Sequence, residues 1–138
     1  MAKTFTAPFA QTPKTATAVA TTASASVTGD TPTNTMLLLT AGADGSILTR
    51  LSAQPRDTVT ASSLVLWLSK DGGTTKRVID SALMAAYTAA TTTALPTTSF
   101  SNYSETTPLR LEAGDKLYVG TQVTSSSGIV FRAEYTDF

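Results

Sequence analysis

The chain contains neither cysteine nor histidine. The first absence excludes disulfides, thiolate metal sites and a cysteine nucleophile. The second removes imidazole zinc sites, Ser-His-Asp triads and histidine acid–base chemistry. Charge is also scarce. Charged residues make up 14% of the 138, and the ten Lys and Arg balance the ten Asp and Glu, whereas an ordinary domain is about a quarter charged. A protein held on nucleic acid by phosphate contacts carries a basic excess or a basic stripe. Neither is present, so no nucleic-acid partner is expected. No run of eighteen apolar residues occurs, so neither a transmembrane helix nor a membrane partner is expected. The opening MAKTFTAPFAQTPKT lacks the apolar stretch of a secretory signal, which points to synthesis in the cytoplasm.

What the chain has in excess is threonine, about a fifth of the residues, far above average usage. Threonine is β-branched and leans toward strands. The length fits one domain. The clearest pattern lies at the end, in LRLEAGDKLYVGTQVTSSSGIVFRAEYTDF. There Leu117, Val119, Thr121 and Val123 share one face, and Lys116, Tyr118, Gly120 and Gln122 share the other. After a Ser-rich turn, Ile129, Phe131, Ala133 and Tyr135 alternate with Val130, Arg132, Glu134 and Thr136. Period-two alternation reads as half-buried antiparallel strands.

Earlier segments repeat the theme. Residues 1–34 are rich in Thr, Ala and Ser, with Phe5 and Phe9 as the only large apolar groups. They read as an extended N-terminal arm carrying a first strand from Thr15, whose Ala16, Ala18 and Ala20 form a small-residue face. Met36 to Leu39 is a four-residue apolar run and reads as a strand covered on both faces. A Gly42–Gly45 turn follows, then a strand with Ile47, Thr49 and Leu51 inward and Leu48 and Arg50 outward. Leu64 to Leu68 is the most hydrophobic strand, with Val65 and Trp67 opposite Leu64, Leu66 and Leu68. The Asp71-Gly72 turn closes a hairpin. Residues 80–87 fit either a strand or a short helix capped by Asp80; the need for a hairpin partner favours the strand. Residues 88–104 form a long connection that crosses between sheets or covers a surface. About eight strands joined by turns imply an all-β sandwich or a closed barrel.

Catalytic chemistry finds little footing. Most of the acidic residues sit beside Gly or Ser in turns, where Asp bonds the local backbone. A glycosidase carboxylate pair and a calcium site are therefore both disfavoured. The Gly-rich turns lack the Gly-Lys-Ser/Thr ending of a phosphate loop. No catalytic, cofactor or metal residue is assigned, and the chain is expected not to be an enzyme. The aromatics Trp67, Tyr87, Phe100, Tyr103 and Tyr118 fit core and subunit interface better than a sugar groove.

Three stretches together resemble small virion proteins of tailed bacteriophages: KTFTAPFAQTPKTATAVAT, LLLTAGADGSILTRLSAQPRDTVTASSLVLWLSKDGGTTKRVIDSALM and PLRLEAGDKLYVGTQVTSSSGIVFRAEYTDF. The turn from Leu111 to Val119 also resembles that of trimeric C1q-like and tumour-necrosis-factor-like domains. The resemblance implies a single antiparallel β-sandwich of jelly-roll type over residues 35–138, with residues 1–34 as arm and first strand. It implies a structural role as a capsid decoration, or cement, protein on the virion surface, with the major capsid protein as partner and a homotrimer as assembly. The alternative it carries is a receptor- or glycan-binding module of a phage fibre. Five residues are the partner-binding candidates: Phe5 and Phe9 on the arm, Trp67 on the outward face of its strand, and Tyr118 and Arg132 on the outward faces of the last two strands.

Overall fold

The computed structural model describes residues 12–24 and 27–138; Phe5 and Phe9 lie outside the described residues. Among the described residues nine strands follow in chain order: β1 (Thr12–Ala20), β2 (Met36–Thr40), β3 (Ser46–Pro55), β4 (Ser62–Ser69), β5 (Arg77–Met84), β6 (Thr98–Ser99), β7 (Leu109–Leu111), β8 (Lys116–Thr121) and β9 (Ile129–Asp137). No helix occurs among the described residues, so none there is long and apolar enough to cross a membrane. One sheet runs β1-β9-β3, with β7 and β6 along the far side of β3; the other runs β2-β8-β4-β5. Every pairing is antiparallel.

The two sheets face each other as a sandwich, because the inward positions of the central strands are the apolar ones. Leu64 and Leu66 of β4, Leu117 and Val119 of β8, and Ile129, Phe131 and Ala133 of β9 form one cluster with Leu48 and Leu51 of β3. Phe100, from the connection after β6, plugs this core and meets the Phe131 ring at 6.4 Å between centroids in a tilted arrangement. The alternation in the last two strands is as the sequence implies as far as Thr121, where β8 ends, whereas Val123, placed on the inward face by its spacing, lies beyond the strand and is exposed; β9 sits between β1 and β3. Ala18 and Ala20 of β1 complete the core beside it. Their small side chains let β1 lie close, and β1 pairs with β9 along its whole length.

Residues 80–84 continue β5 as a strand, paired through Ser62–Leu66 of β4. The hairpin thus outweighs the local helix pattern. The long connection after β5 carries the chain from one sheet to the other, as expected of a crossover.

Two further expectations are corrected. In β3 the inward residues are Leu48 and Leu51, both fully buried, while Ile47 and Thr49 are only half-buried. The cause is a bulge: the register steps from Leu48↔Tyr135 to Arg50↔Glu134, leaving Thr49 as an extra residue. An inserted residue reverses the facing of everything on one side of it. The Thr49 hydroxyl donates to the Glu134 carbonyl at 3.1 Å, which holds the bulge. In β2 the apolar run is not covered on both faces. Leu38 and Leu39 are buried, but Met36 and Leu37 are exposed, because β2 is an edge strand and also bulges between Leu37 and Leu39.

Candidate functional site

The outer face of the four-stranded sheet carries a lateral row set by strand register: Leu37 opposite Tyr118, Tyr118 opposite Trp67, and Trp67 opposite Val78. The row thus unites two of the five partner-binding candidates. They are not equally available. Trp67 has no exposed surface. A Cβ on Gly120 would lie 2.9 Å from its ring, and the Ser24 Cβ would be 3.6 Å from the same point. Ser24, shortly after β1, therefore lies beside the indole, pinned where its amide donates to the Thr121 carbonyl at 2.8 Å. Trp67 is packed under its own chain and offers no surface to a partner. Its Nε1 finds no acceptor among the described residues. Tyr118 stays half-buried, with the Lys76 ammonium 4.4 Å above its ring, a cation–π contact.

Arg132 lies on the other sheet, on the exposed side of β9, 3.9 Å from the Glu134 carboxylate. The three candidates among the described residues thus divide between opposite sheets and do not form one site. What the row does border is apolar: Met36 and Leu37 at one edge of the four-stranded sheet, and Val78, Ile79 and Leu83 at the other, with Leu83 75% exposed.

The buried acids are locked by their own surroundings. Asp137 accepts from the Ser46 hydroxyl and pairs with Lys14 at 2.7 Å. Burial pushes its carboxyl up, but the Lys14 and Ser46 hydrogen bonds outweigh that and hold it below the usual carboxylate range. The Lys14 ammonium is raised in return by its hydrogen bond to Asp137. Asp115 accepts from the Glu112 amide and from Lys70, both at 2.9 Å, and the second bond raises the Lys70 ammonium. Asp71 is exposed, but it too is held, accepting from the Thr75 amide at 2.8 Å and the Ser69 hydroxyl at 3.0 Å, and these bonds hold it low. Each carboxylate is occupied in tying strands or a turn together. Among the described residues no group of three His, Cys, Asp or Glu side chains could hold a metal ion.

One acid differs. β5 is the edge of its sheet, and residues 96–102 run beside it on the other. Between them opens a groove of about 580 Å³. Asp80 sits in its wall, pointing inward opposite Leu66. Its Oδ1 accepts from the Ser81 amide at 2.8 Å and from Asn102 Nδ2 at 3.2 Å. Its Oδ2 is fully buried. The Tyr103 phenol is pushed above its ordinary value, first by burial, then by the Asp80 charge and a hydrogen bond to the Asp80 side chain, so it stays protonated. Sequence reasoning read Asp80 only as a possible helix cap. The available signal was an acid at an inward position of an edge strand.

Scans of protein-family models and searches of curated proteins and solved structures find no match to this chain.

Proposed function

We propose that the protein is a structural component of a tailed-phage virion: a decoration protein that binds the outer capsid surface and stabilises the head. The carrying observation is the placement of exposed apolar side chains at both edges of the four-stranded sheet, Met36 and Leu37 on β2 and Val78, Ile79 and Leu83 on β5. An apolar surface split between two edges suits a unit that touches a neighbour on each side. The strand orders β1-β9-β3-β6 and β2-β8-β4-β5 fit the jelly roll that the resemblance implies. A trimer whose copies meet along these edges would bridge several capsid subunits, and opening the shell would require breaking each contact. Durable attachment needs roughly 1,000 Å² of buried surface per contact.

Light scattering on the purified protein should give a trimer mass. Sedimentation with empty heads built from the cognate major capsid protein should bring the protein down at stoichiometric occupancy. Failure to bind heads, together with retention on host cells, would replace this reading with the fibre-module one.

A further inference from the structure

The open edge of the five-stranded sheet plays no part in the assembly reading, which uses the edges of the other sheet. We propose that it is a second contact between copies: β1 of one copy pairs antiparallel with β1 of another, about a two-fold axis at Ala16, and joins two sheets into one. This goes beyond the decoration reading and does not depend on it.

Three features carry the assignment. The first is the direction of the backbone groups. At one end of β9 the Phe138 amide donates to the Gly45 carbonyl, and at the other the Gly128 carbonyl accepts from the Arg56 amide. Gly45 and Arg56 flank β3, so the even-numbered residues along β9 turn toward β3. Successive residues of an antiparallel strand bond to opposite neighbours, so the odd-numbered ones turn toward β1. Their partners in the β1 register are Lys14, Ala16, Ala18 and Ala20, with Thr12 at the end. Pro13, Thr15, Thr17 and Val19 therefore turn their backbone groups to the open side, where Thr15 and Thr17 are exposed. Pro13 has no amide to donate, and on that side its lack costs the ladder nothing.

The second feature is that this edge is unguarded. Sheet edges are normally blunted by bulges, inward charges or covering segments. β2 bulges between Leu37 and Leu39. β5 pairs across a bulge and carries the inward Asp80. The far side of β3 is covered by β6 and β7. The register of β1 with β9 is unbroken over nine residues, and its one charge, Lys14, is held by Asp137. The third feature is self-complementarity. Pairing about Ala16 sets Thr15 opposite Thr17 of the second copy, a favourable cross-strand pair, and Val19 opposite Pro13. Ala16 meets Ala16 and Lys14 meets Ala18, so no like charges face each other and no large side chains collide. Other registers shorten the overlap.

Two edge strands make a contact under roughly 1,000 Å². The pairing is therefore expected to be reversible, with the mass from light scattering on the full chain rising between about 10 µM and 1 mM protein. Thr17→Pro removes an amide that β9 does not use. It should give about half the parent mass at the upper concentration, whether the remaining unit is a monomer or a trimer, so loss of this contact and absence of the trimer are read separately. Thr15→Lys combined with Thr17→Lys sets like charges opposite each other and is the decisive variant if Thr17→Pro does not fold. The chain has no cysteine, so Ala16→Cys should form an intermolecular disulfide under mild oxidation. Residues of a non-hydrogen-bonded pair stand about 4.5 Å apart at Cα, within disulfide reach. Thr12→Cys, which would face Ala20 of the second copy, should not. The proposal is overturned if parent and variants share one mass across this range, or if the two cysteine variants link equally. It is also overturned if the Thr15, Thr17 and Val19 amides resist exchange at every concentration with no change in mass, which would assign the edge to the chain's own residues 1–11.

Discussion

At the scale of single residues, the strongest constraint is the contact among Gly42, Ser46, Lys14 and Asp137. It joins β1, β3 and the turn before β3 to the last residue of β9. The Gly42 amide donates to the Ser46 hydroxyl at 3.0 Å, and that hydroxyl in turn donates to Asp137. A Cβ on residue 42 would stand 2.8 Å from the Asp137 carboxyl carbon. Asp137→Ala should therefore cost about 1.5–3 kcal/mol, the worth of a hydrogen-bonded charged group. Gly42→Ala should cost about 1–3 kcal/mol by displacing the same carboxylate. The two losses should fall short of additive, since both act on one cluster; urea midpoints of the single and double variants measure this. Gly120 is a second tight position. The Trp67 ring crosses it, so Gly120→Ala should cost about 1–3 kcal/mol. Trp67 is the only tryptophan and is fully buried. Its emission should shift to the red on unfolding and be perturbed in Gly120→Ala. Unchanged stability and emission would show that the segment carrying Ser24 lifts away at no cost.

At the scale of elements, the strands were legible where their alternation is uninterrupted and illegible where it breaks. Leu117 and Val119 on β8, and Ile129, Phe131 and Ala133 on β9, face inward as their spacing implies. The facing within β3 could not be read because an inserted residue looks like any other in sequence. Thr49 becomes visible as a bulge only through its bond to Glu134, 85 positions away. The cover over Met36 and Leu37 was misread for a related reason, since an apolar run does not say whether its strand lies at the edge or the centre of a sheet. The candidate site was harder still. Asp80 and Asn102 meet because the edges of two sheets pack together, and nothing local to either residue signals the other. Trp67 and Tyr118 are neighbours by register, yet only the chain before β2 decides that one is covered. The edges themselves can be tested. Leu37→Lys and Leu83→Lys alter exposed side chains on edge strands, so each should leave the urea midpoint within the equivalent of about 0.5 kcal/mol. Each should reduce sedimentation with heads or shift the oligomer mass downward. Variants that assemble and attach like the parent would move the contact surface elsewhere.

At the scale of the whole molecule, scarce charge and the lack of histidine shape the response to pH. Asp137 and Asp71 titrate below their ordinary value in the folded state. Folding therefore draws stability from them above the unfolded carboxylate value of about 3.9, and that contribution is lost as pH falls through their lower folded values. Lys14, Lys70 and the Tyr103 phenol are raised instead. Their contribution is complete below the unfolded values of about 10 and is lost as pH rises through the folded ones. No histidine titrates between these limits. The urea midpoint should thus be level from about pH 5 to about pH 9 and fall on both sides. Asp137→Asn should lower the plateau and flatten the acid limb, because the residue that loses a proton on folding is gone. The Lys14 side chain is 47% exposed, so salt near 1 M, where screening acts within about 3 Å, should weaken its share and leave the effect of burial on Tyr103 intact. Salt should therefore soften the acid limb more than the alkaline one. A slope between pH 6 and 8, or an acid limb unchanged in Asp137→Asn, would place the controlling charge outside the clasp between β1, β3 and β9.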